Sequence, residues 1–142
     1  MKYKYILQEM KEMGDHNVVA FLKDAEQIKR LSKKERDFCL QNRCKPGVLK
    51  RLVEGFIPYA IYVAYFNAPK LKTLSVLDLI NEGILGAYAA FERNNRGETL
   101  TKRRVNCAIK SNIRCAVQRE YYHAFADIAI EDVEIDNLKL FI

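Results

Sequence analysis

The chain of 142 residues is long enough for one domain with a hydrophobic core and too short for two domains of ordinary size. Hydrophobic residues make up 49% of the chain, which is typical of a globular protein. The formal net charge of +6 favours an acidic partner such as nucleic acid, but charge alone does not establish one.

No segment of the sequence suits a membrane. The longest apolar stretch, residues 56–66, is interrupted by Pro58 and is shorter than the roughly 20 residues that span a bilayer. The N-terminus lacks the apolar segment and cleavage site of a signal peptide. We therefore expect a cytoplasmic protein with no membrane partner.

Apolar residues at helical spacing predict two helices in residues 1–31, joined at Gly14 and Asp15. The first set is Ile6, Leu7, Met10 and Met13, and the second is Val18, Phe21, Leu22, Ala25, Ile28 and Leu31. Packing against the rest of the domain is the simpler role for the first helix. The alternative is a docking peptide for another protein.

Two more segments follow before the centre of the chain. Ser32 and Glu35 have capping-box spacing and predict a helix to about residue 43, which Pro46 and Gly47 end. A helix from Val48 then meets Pro58, so the sequence predicts a turn near residues 55–58. An apolar helix to about residue 67 follows, and we expect it at the centre of the core with these residues inside: Ile61, Val63, Ala64 and Phe66.

The most informative stretch is residues 78–91, DLINEGILGAYAAF. Ser75 and Asp78 form a second capping box, and Asn94, Asn95 and Gly97 offer a stop. The predicted buried stripe consists of Leu77, Ile80, Ile84, Ala87 and Phe91. Gly83 and Gly86 cost about 1 kcal/mol each inside a helix, so their presence predicts close approach by another helix.

A basic helix is predicted from Thr101 to about Tyr121. Its buried stripe consists of Val105, Ile109, Ile113 and Ala116. The opposite side carries Arg103, Cys107, Lys110, Ser111, Arg114 and Gln118, with Arg104 at its edge. Residues 93–119 hold eight Lys or Arg against one acid, Glu98. Such a face suits a phosphate backbone, and the alternative is a solvated surface.

The C-terminal segment, residues 124–142, is acidic and apolar. Five acids stand against Lys139 alone: Asp127, Glu131, Asp132, Glu134 and Asp136. The segment could fold back on the basic helix or dock on a partner, and capping the core is the default role. With no strand-like alternation in the sequence, the fold class is all-α, a compact multi-helix bundle.

Neither a metal site nor an enzyme is predicted. The cysteines, Cys39, Cys44, Cys107 and Cys115, lack the short spacings of a zinc site and read as reduced thiols. A mixed site of Cys39 and Cys44 with His16 or His123 would lack short ligand pairs. No glycine-rich phosphate loop or catalytic constellation is present, so we expect no cofactor.

Residues 78–91 resemble the DLIQEGxxGLxxAxxxF helix of bacterial RNA polymerase sigma factors of the sigma-70 family, in their second conserved region. The resemblance extends upstream through residues 51–64 and downstream through residues 108–114, and covers roughly residues 31–118. It divides the chain into an N-terminal helical extension (1–31), a sigma region 2-like domain (32–123) and the acidic tail (124–142).

This resemblance implies a transcription initiation factor with two kinds of partner. The central helix would bind the clamp helices in the largest subunit of core RNA polymerase through Leu77, Asp78, Asn81, Glu82 and Tyr88. The following helix would bind a −10-like promoter element through Arg96, Lys102, Arg103, Arg104, Lys110, Ser111, Arg114 and Gln118.

The chain departs from the family where promoter DNA is melted. Arg104, Cys107 and Ala108 stand where the family has aromatic residues, although Arg104 could stack on a base and Tyr121 or Tyr122 could substitute. The sequence also has no helix-turn-helix for a −35 element. We therefore expect a minimal sigma, of the kind phages encode for late genes, that needs an accessory transcription factor. The alternative is a polymerase-docking protein that does not direct promoter melting.

Overall fold

The computed structural model describes residues 3–70, 74–93 and 99–127. These residues form six packed α-helices and one short 3-10 helix, with no strand among them, which confirms the all-α prediction. The helices are α1 (Tyr3–Met13), α2 (His16–Glu26), α3 (Lys33–Gln41), α4 (Val48–Asn67), α5 (Val76–Arg93) and α6 (Lys102–Asp127), with the 3-10 helix at Ala68–Lys70. The predicted stop after α5, Arg96 and residues 128–142 lie outside the described residues.

The helix starts follow local capping chemistry. Asp15 caps α2 by accepting a hydrogen bond from the backbone N–H of Val18 at 3.0 Å. Ser32 caps α3 in the same way, accepting from the N–H of Glu35 at 3.2 Å. The two predicted N-terminal helices and the predicted start of α3 are therefore confirmed.

The predicted turn near Gly55 and Pro58 is wrong, because α4 runs without a break from Val48 to Asn67. A proline inside a helix costs about 3 kcal/mol. The helix nevertheless continues because both of its halves bury apolar side chains against other helices, at roughly 1.5–3 kcal/mol for each large one. The buried residues before Pro58 are Leu52, Val53 and Phe56, and those after it are Ala60, Ile61, Val63 and Ala64.

Helix α4 contacts α1, α3, α5 and α6, and so occupies the centre of the bundle as predicted. Phe66 was expected inside, but its side chain is 46% exposed. It lies one residue before the C-terminal end of α4. Helix α1 adds Ile6, Leu7 and Met10 to the same core, so it packs against the rest of the bundle.

Helices α5 and α6 form the most extensive helix pair. Gly86 faces α6 so closely that an added Cβ would lie 2.6 Å from the carbonyl oxygen of Ala108, which confirms the predicted close approach. Leu77 and Ile84 are only half-buried, whereas Leu79, absent from the predicted stripe, is fully buried. The buried surface of α5 is thus wider than one stripe, because α4 and α6 cover different sides of it.

The described residues contain no helix long and apolar enough to cross a membrane.

Candidate nucleic-acid and protein interfaces

The outward side of α6 carries exposed cations and polar groups. We call it the basic face, and it comprises Lys102, Arg103, Lys110, Ser111, Arg114 and Gln118. All six predicted residues are exposed. Arg104 is also exposed, and its backbone N–H donates to the Thr101 hydroxyl at 3.3 Å as part of the helix cap.

The opposite side of α6 fixes the orientation of the basic face. Val105, Ile109 and Ile113 are fully buried, as predicted. Asn112 donates a side-chain hydrogen bond to the backbone carbonyl of Glu82 at 3.3 Å, which ties α6 to α5. The helix therefore cannot rotate about its axis without exposing its apolar stripe and breaking this bond.

The buried carboxylate of Glu120 on α6 makes a second hydrogen bond that holds α6 against the segment before α5. One of its oxygens accepts the backbone N–H of Leu74 at 2.7 Å, just before α5 begins. Sequence reasoning could not predict this contact, because the two residues are 46 positions apart. It positions the start of α5 against the second half of α6.

Aromatic side chains form a row on the surface of α4. The aromatic row consists of Tyr59, Tyr62 and Phe66, which share one helix face by their spacing. The Tyr59 and Tyr62 rings are stacked with centroids 6.3 Å apart, and the Tyr62 and Phe66 rings meet edge to face at 4.9 Å. Tyr62 is 37% exposed and Phe66 is 46% exposed, so part of the row is accessible.

The aromatic row lies beside the basic face, since Tyr59, Tyr62 and Lys102 line one cavity of about 410 Å³. Burial raises the pKa of Tyr59, and Cys107 and Tyr62 add to that shift, while the nearby Arg114 guanidinium opposes it. Cys107 and Arg114 both lie on the outward side of α6. Basic side chains beside accessible aromatic rings are a combination that binds single-stranded nucleic acid. The basic side chains contact phosphates, and the rings stack on nucleobases.

The predicted substitutes for the missing aromatics are differently placed. Tyr121 and Tyr122 lie in the second half of α6, where Tyr121 is half-buried and Tyr122 is exposed. Neither belongs to the row on α4. Sequence reasoning missed the row on α4 as a candidate site because it placed that helix at the centre of the core, with Phe66 inside.

The residues predicted to bind polymerase spread over different environments on α5. Asp78, Asn81 and Tyr88 are exposed, Glu82 is half-buried, and Leu77 packs partly against the core. Asp78 also stabilises the helix start, since its carboxylate accepts the N–H of Ser75 at 2.9 Å while its own N–H donates to the Ser75 hydroxyl at 3.1 Å. This reciprocal pair confirms the predicted capping box.

Glu82 forms an ion pair with Arg119 of α6 at 3.5 Å. The pair is largely exposed and contributes little to stability, about 0–1 kcal/mol. Because Glu82 is engaged within the chain, its carboxylate is less available to a partner than that of Asp78.

Leu85 is an exposed apolar residue of α5 that the predicted site left out. Its side chain is 58% exposed and lies between Asn81 and Tyr88 on the helix surface. We call Asp78, Asn81, Leu85 and Tyr88 together the docking face. The recurrence of Leu85 with Asp78 and Glu82 at helical spacing was the signal that could have identified it.

Among the described residues, no three His, Cys, Asp or Glu side chains lie close enough to hold an ion. Cys39 is buried and Cys44 is exposed, and the side chain of His123 lies outside the described part.

Comparison with known proteins adds no relative. No family model matches this chain, and none of the curated proteins or solved structures compared with it matches either.

Proposed function

We propose that this protein is a sigma-like transcription initiation factor that binds core RNA polymerase through the docking face of α5 and a −10-like promoter element through α6 and α4. The observation that carries the proposal is the basic face of α6 beside the aromatic row of α4. Cations along a helix bind phosphates without reading sequence, and accessible rings stack on unpaired bases. The sequence resemblance supplies the polymerase and the promoter as the partners.

The docking face supports the polymerase half of the proposal. It presents a carboxylate, an amide and two large apolar side chains on one surface of a helix whose other sides are packed. Exposed Leu85 and Tyr88 give apolar area to bury, and polar groups at one end fix the register. Helix α5 is held by α4 and α6, so a partner would meet a rigid surface.

The experiment is co-purification of the chain with core RNA polymerase from its own host system. Asn81→Lys and Leu85→Lys change the docking face without touching the capping box or the Glu82–Arg119 pair. Asn17→Lys makes the same chemical change at an exposed position of α2 and serves as the control. We expect wild type and control to bind polymerase and the docking-face variants to lose most of the binding.

If the wild-type chain does not bind polymerase, the sigma-like proposal is wrong. If it binds and also starts transcription from a promoter of the cognate genome, both halves hold.

The second candidate is a polymerase-docking protein that does not direct promoter melting. One observation favours it: residues 102–119, which include the whole basic face, contain no aromatic residue. The two candidates differ in sequence preference. An initiation factor should bind one short single-stranded DNA sequence better than its scrambled form, whereas a docking protein should show weak, salt-sensitive binding to both.

A further inference from the structure

A groove of about 670 Å³ lies at one end of the bundle, and most of its lining is apolar. Met13 of α1 is 85% exposed there, and Phe66 of α4 is 46% exposed. The large apolar side chains that line the groove are Met10, Met13, Val18, Tyr65, Phe66 and Val76. An apolar surface of this kind, left open, is typical of a place where another segment packs.

Helices α5 and α6 run antiparallel, so the end of α6 lies beside the start of α5. Gly86 faces Ala108 near the start of α6, whereas the N–H of Leu74, just before α5, donates to Glu120 in the second half of α6. The groove is lined at the same place, by the first residues after Leu74. Helix α6 therefore ends at the end of the bundle that holds the groove.

The chain leaves α6 within reach of the groove. From Glu120 the helix continues to Asp127, about 10 Å at 1.5 Å per residue. Residues 128–142 follow, and 15 residues can span up to roughly 50 Å when extended. This length is enough to cross the groove.

Composition identifies which segment fits the groove. The stretches outside the described residues are 1–2, 71–73, 94–98 and 128–142. The first three together supply only two large apolar side chains, Met1 and Leu71. Residues 128–142 supply eight: Ile128, Ile130, Val133, Ile135, Leu138, Leu140, Phe141 and Ile142.

The acids of residues 128–142 could instead draw this segment to the basic face. That face is farther away, because its nearest cation, Arg114, lies 13 residues or about 20 Å back from Asp127 along α6. Its exposed side chains are charged or polar, so they would leave the eight apolar side chains in water. Burial of apolar surface is the larger driving force, and it favours the groove.

We propose that residues 128–142 fold back over the groove and cover Met13 and Phe66 with their apolar side chains. The acids then face solvent at this end of the bundle, and the basic face stays open. Tyr62 does not line the groove, so the aromatic row also keeps an accessible ring. The contact lies within one chain and depends on neither polymerase nor DNA.

Methionine methyl groups report on the groove in the full chain. The chain has three methionines, and two of them, Met10 and Met13, line the groove. The test labels the methyl groups with ¹³C and records NMR spectra of wild type and two variants. The apolar-free variant replaces all eight large apolar residues of 128–142 by Ser. The acid-free variant replaces Glu131 and Glu134 by Gln, and Asp132 and Asp136 by Asn.

We expect the Met13 methyl of wild type to show nuclear Overhauser contacts with Ile, Leu or Val methyl groups of residues 128–142. The apolar-free variant should lose these contacts, and its Met13 signal should shift toward that of free methionine. The acid-free variant should keep both the contacts and the signal position. Circular dichroism checks that the helices are intact in both variants.

A protease test approaches the same contact from the groove. Met13→Lys places a charge in the groove, and Tyr5→Lys makes the same kind of change at an exposed position of α1 outside it. A glutamate-specific protease cuts after Glu134 when the segment is released. We expect Met13→Lys to speed this cleavage at least about tenfold, the order expected when one apolar side chain loses its burial. Tyr5→Lys should be cut at the wild-type rate.

Each outcome decides between occupants. A Met13 signal that is the same in wild type and the apolar-free variant overturns the proposal, as do equal cleavage rates in Met13→Lys and Tyr5→Lys. If, in addition, the acid-free variant binds DNA more tightly than wild type, the segment lies on the basic face. A Met13 signal that depends on protein concentration identifies a second copy of the chain as the occupant, which also overturns the proposal. None of these results bears on co-purification with polymerase, so this inference and the proposed function can fail separately.

Discussion

Gly86 of α5 faces the backbone of α6 at Ala108. We expect Gly86→Ala to lower the free energy of unfolding by about 1–3 kcal/mol, because the new Cβ would meet the carbonyl oxygen of Ala108 at 2.6 Å. This cost outweighs the gain in helix propensity, which is about 1 kcal/mol.

Gly83→Ala is the matched comparison at the same interface. The nearest atom there is the terminal methyl of Ile113, at 2.9 Å, and a side-chain methyl can move more easily than a backbone carbonyl. Urea unfolding should therefore rank Gly86→Ala below Gly83→Ala in stability. The reverse ranking would contradict the close backbone contact.

The raised pKa of Tyr3 predicts how the free energy of unfolding depends on pH in the alkaline range. Burial raises its pKa, so the folded chain holds this proton to higher pH than the unfolded chain. The contribution of this proton to stability is fully present below about pH 10, the ordinary pKa of tyrosine. It is lost as the pH rises through the raised pKa. Tyr59 and Tyr65 contribute in the same direction, the latter mainly because its hydroxyl donates to the Glu9 carboxylate.

Unfolding measured between pH 8 and 11.5 checks this prediction. Tyr3→Phe should lose less stability above pH 10 than wild type does. At neutral pH it should be no less stable, because the hydroxyl it removes has no partner among the described residues. Tyr5→Phe, at an exposed position of the same helix, is the control. An unchanged alkaline slope in Tyr3→Phe would contradict the assignment to Tyr3.

At the scale of the element, α4 carries a helix-breaking residue that the bundle tolerates. Pro58→Ala restores a backbone N–H that can bond to the carbonyl of Glu54, and we expect it to raise the free energy of unfolding by about 1–2 kcal/mol. The gain stays below the full cost of a helix proline, about 3 kcal/mol, because alanine also makes the unfolded chain more flexible.

Pro46→Ala is the control for this change. Pro46 is exposed in the connection between α3 and α4, so its replacement acts mainly on the unfolded chain and should lower stability by about 0.4–1 kcal/mol. In thermal unfolding, a gain in stability for Pro58→Ala and a loss for Pro46→Ala would separate the restored hydrogen bond from the effect on the unfolded chain. A loss of stability in Pro58→Ala would mean that the ring's contacts in the wall of the cavity of about 410 Å³ matter more than the missing hydrogen bond.

The elements show where sequence reasoning succeeds and where it stops. The capping box of Ser75 and Asp78 and the buried stripe of α6 depend on neighbours within one helix, and both were predictable. Continuity through Pro58 was not, because the local preference for a turn loses to the packing of both halves of α4. Capping rules and periodicity describe one helix at a time and do not weigh such competition.

The candidate sites also differ in whether they depend on one helix or on packing between helices. The basic face lies on one helix, and spacing alone predicted its residues apart from Lys102, which only the sequence resemblance implied. The cavity of about 410 Å³ beside the basic face brings Tyr3 together with Asn106, residues far apart in the chain that only the tertiary fold places in one wall. The Tyr3 hydroxyl, which has no hydrogen-bond partner among the described residues, leaves no trace in the sequence, because hydrogen-bond satisfaction is a property of the packed structure.

At the scale of the whole molecule, the cations are unevenly distributed, and this has a measurable consequence. Neutralising phosphates of single-stranded DNA gives a slope of about −0.7 per contact in a plot of log affinity against log salt. Lys110→Ala combined with Arg114→Ala should therefore reduce the slope by about 1.4. The control, Lys33→Ala with Lys34→Ala, removes the same charge from exposed positions of α3, and it should leave the slope unchanged while affinity shifts slightly at low salt. Equal salt slopes in the two double variants would mean that DNA binding depends on the net charge of the chain and not on the basic face of α6.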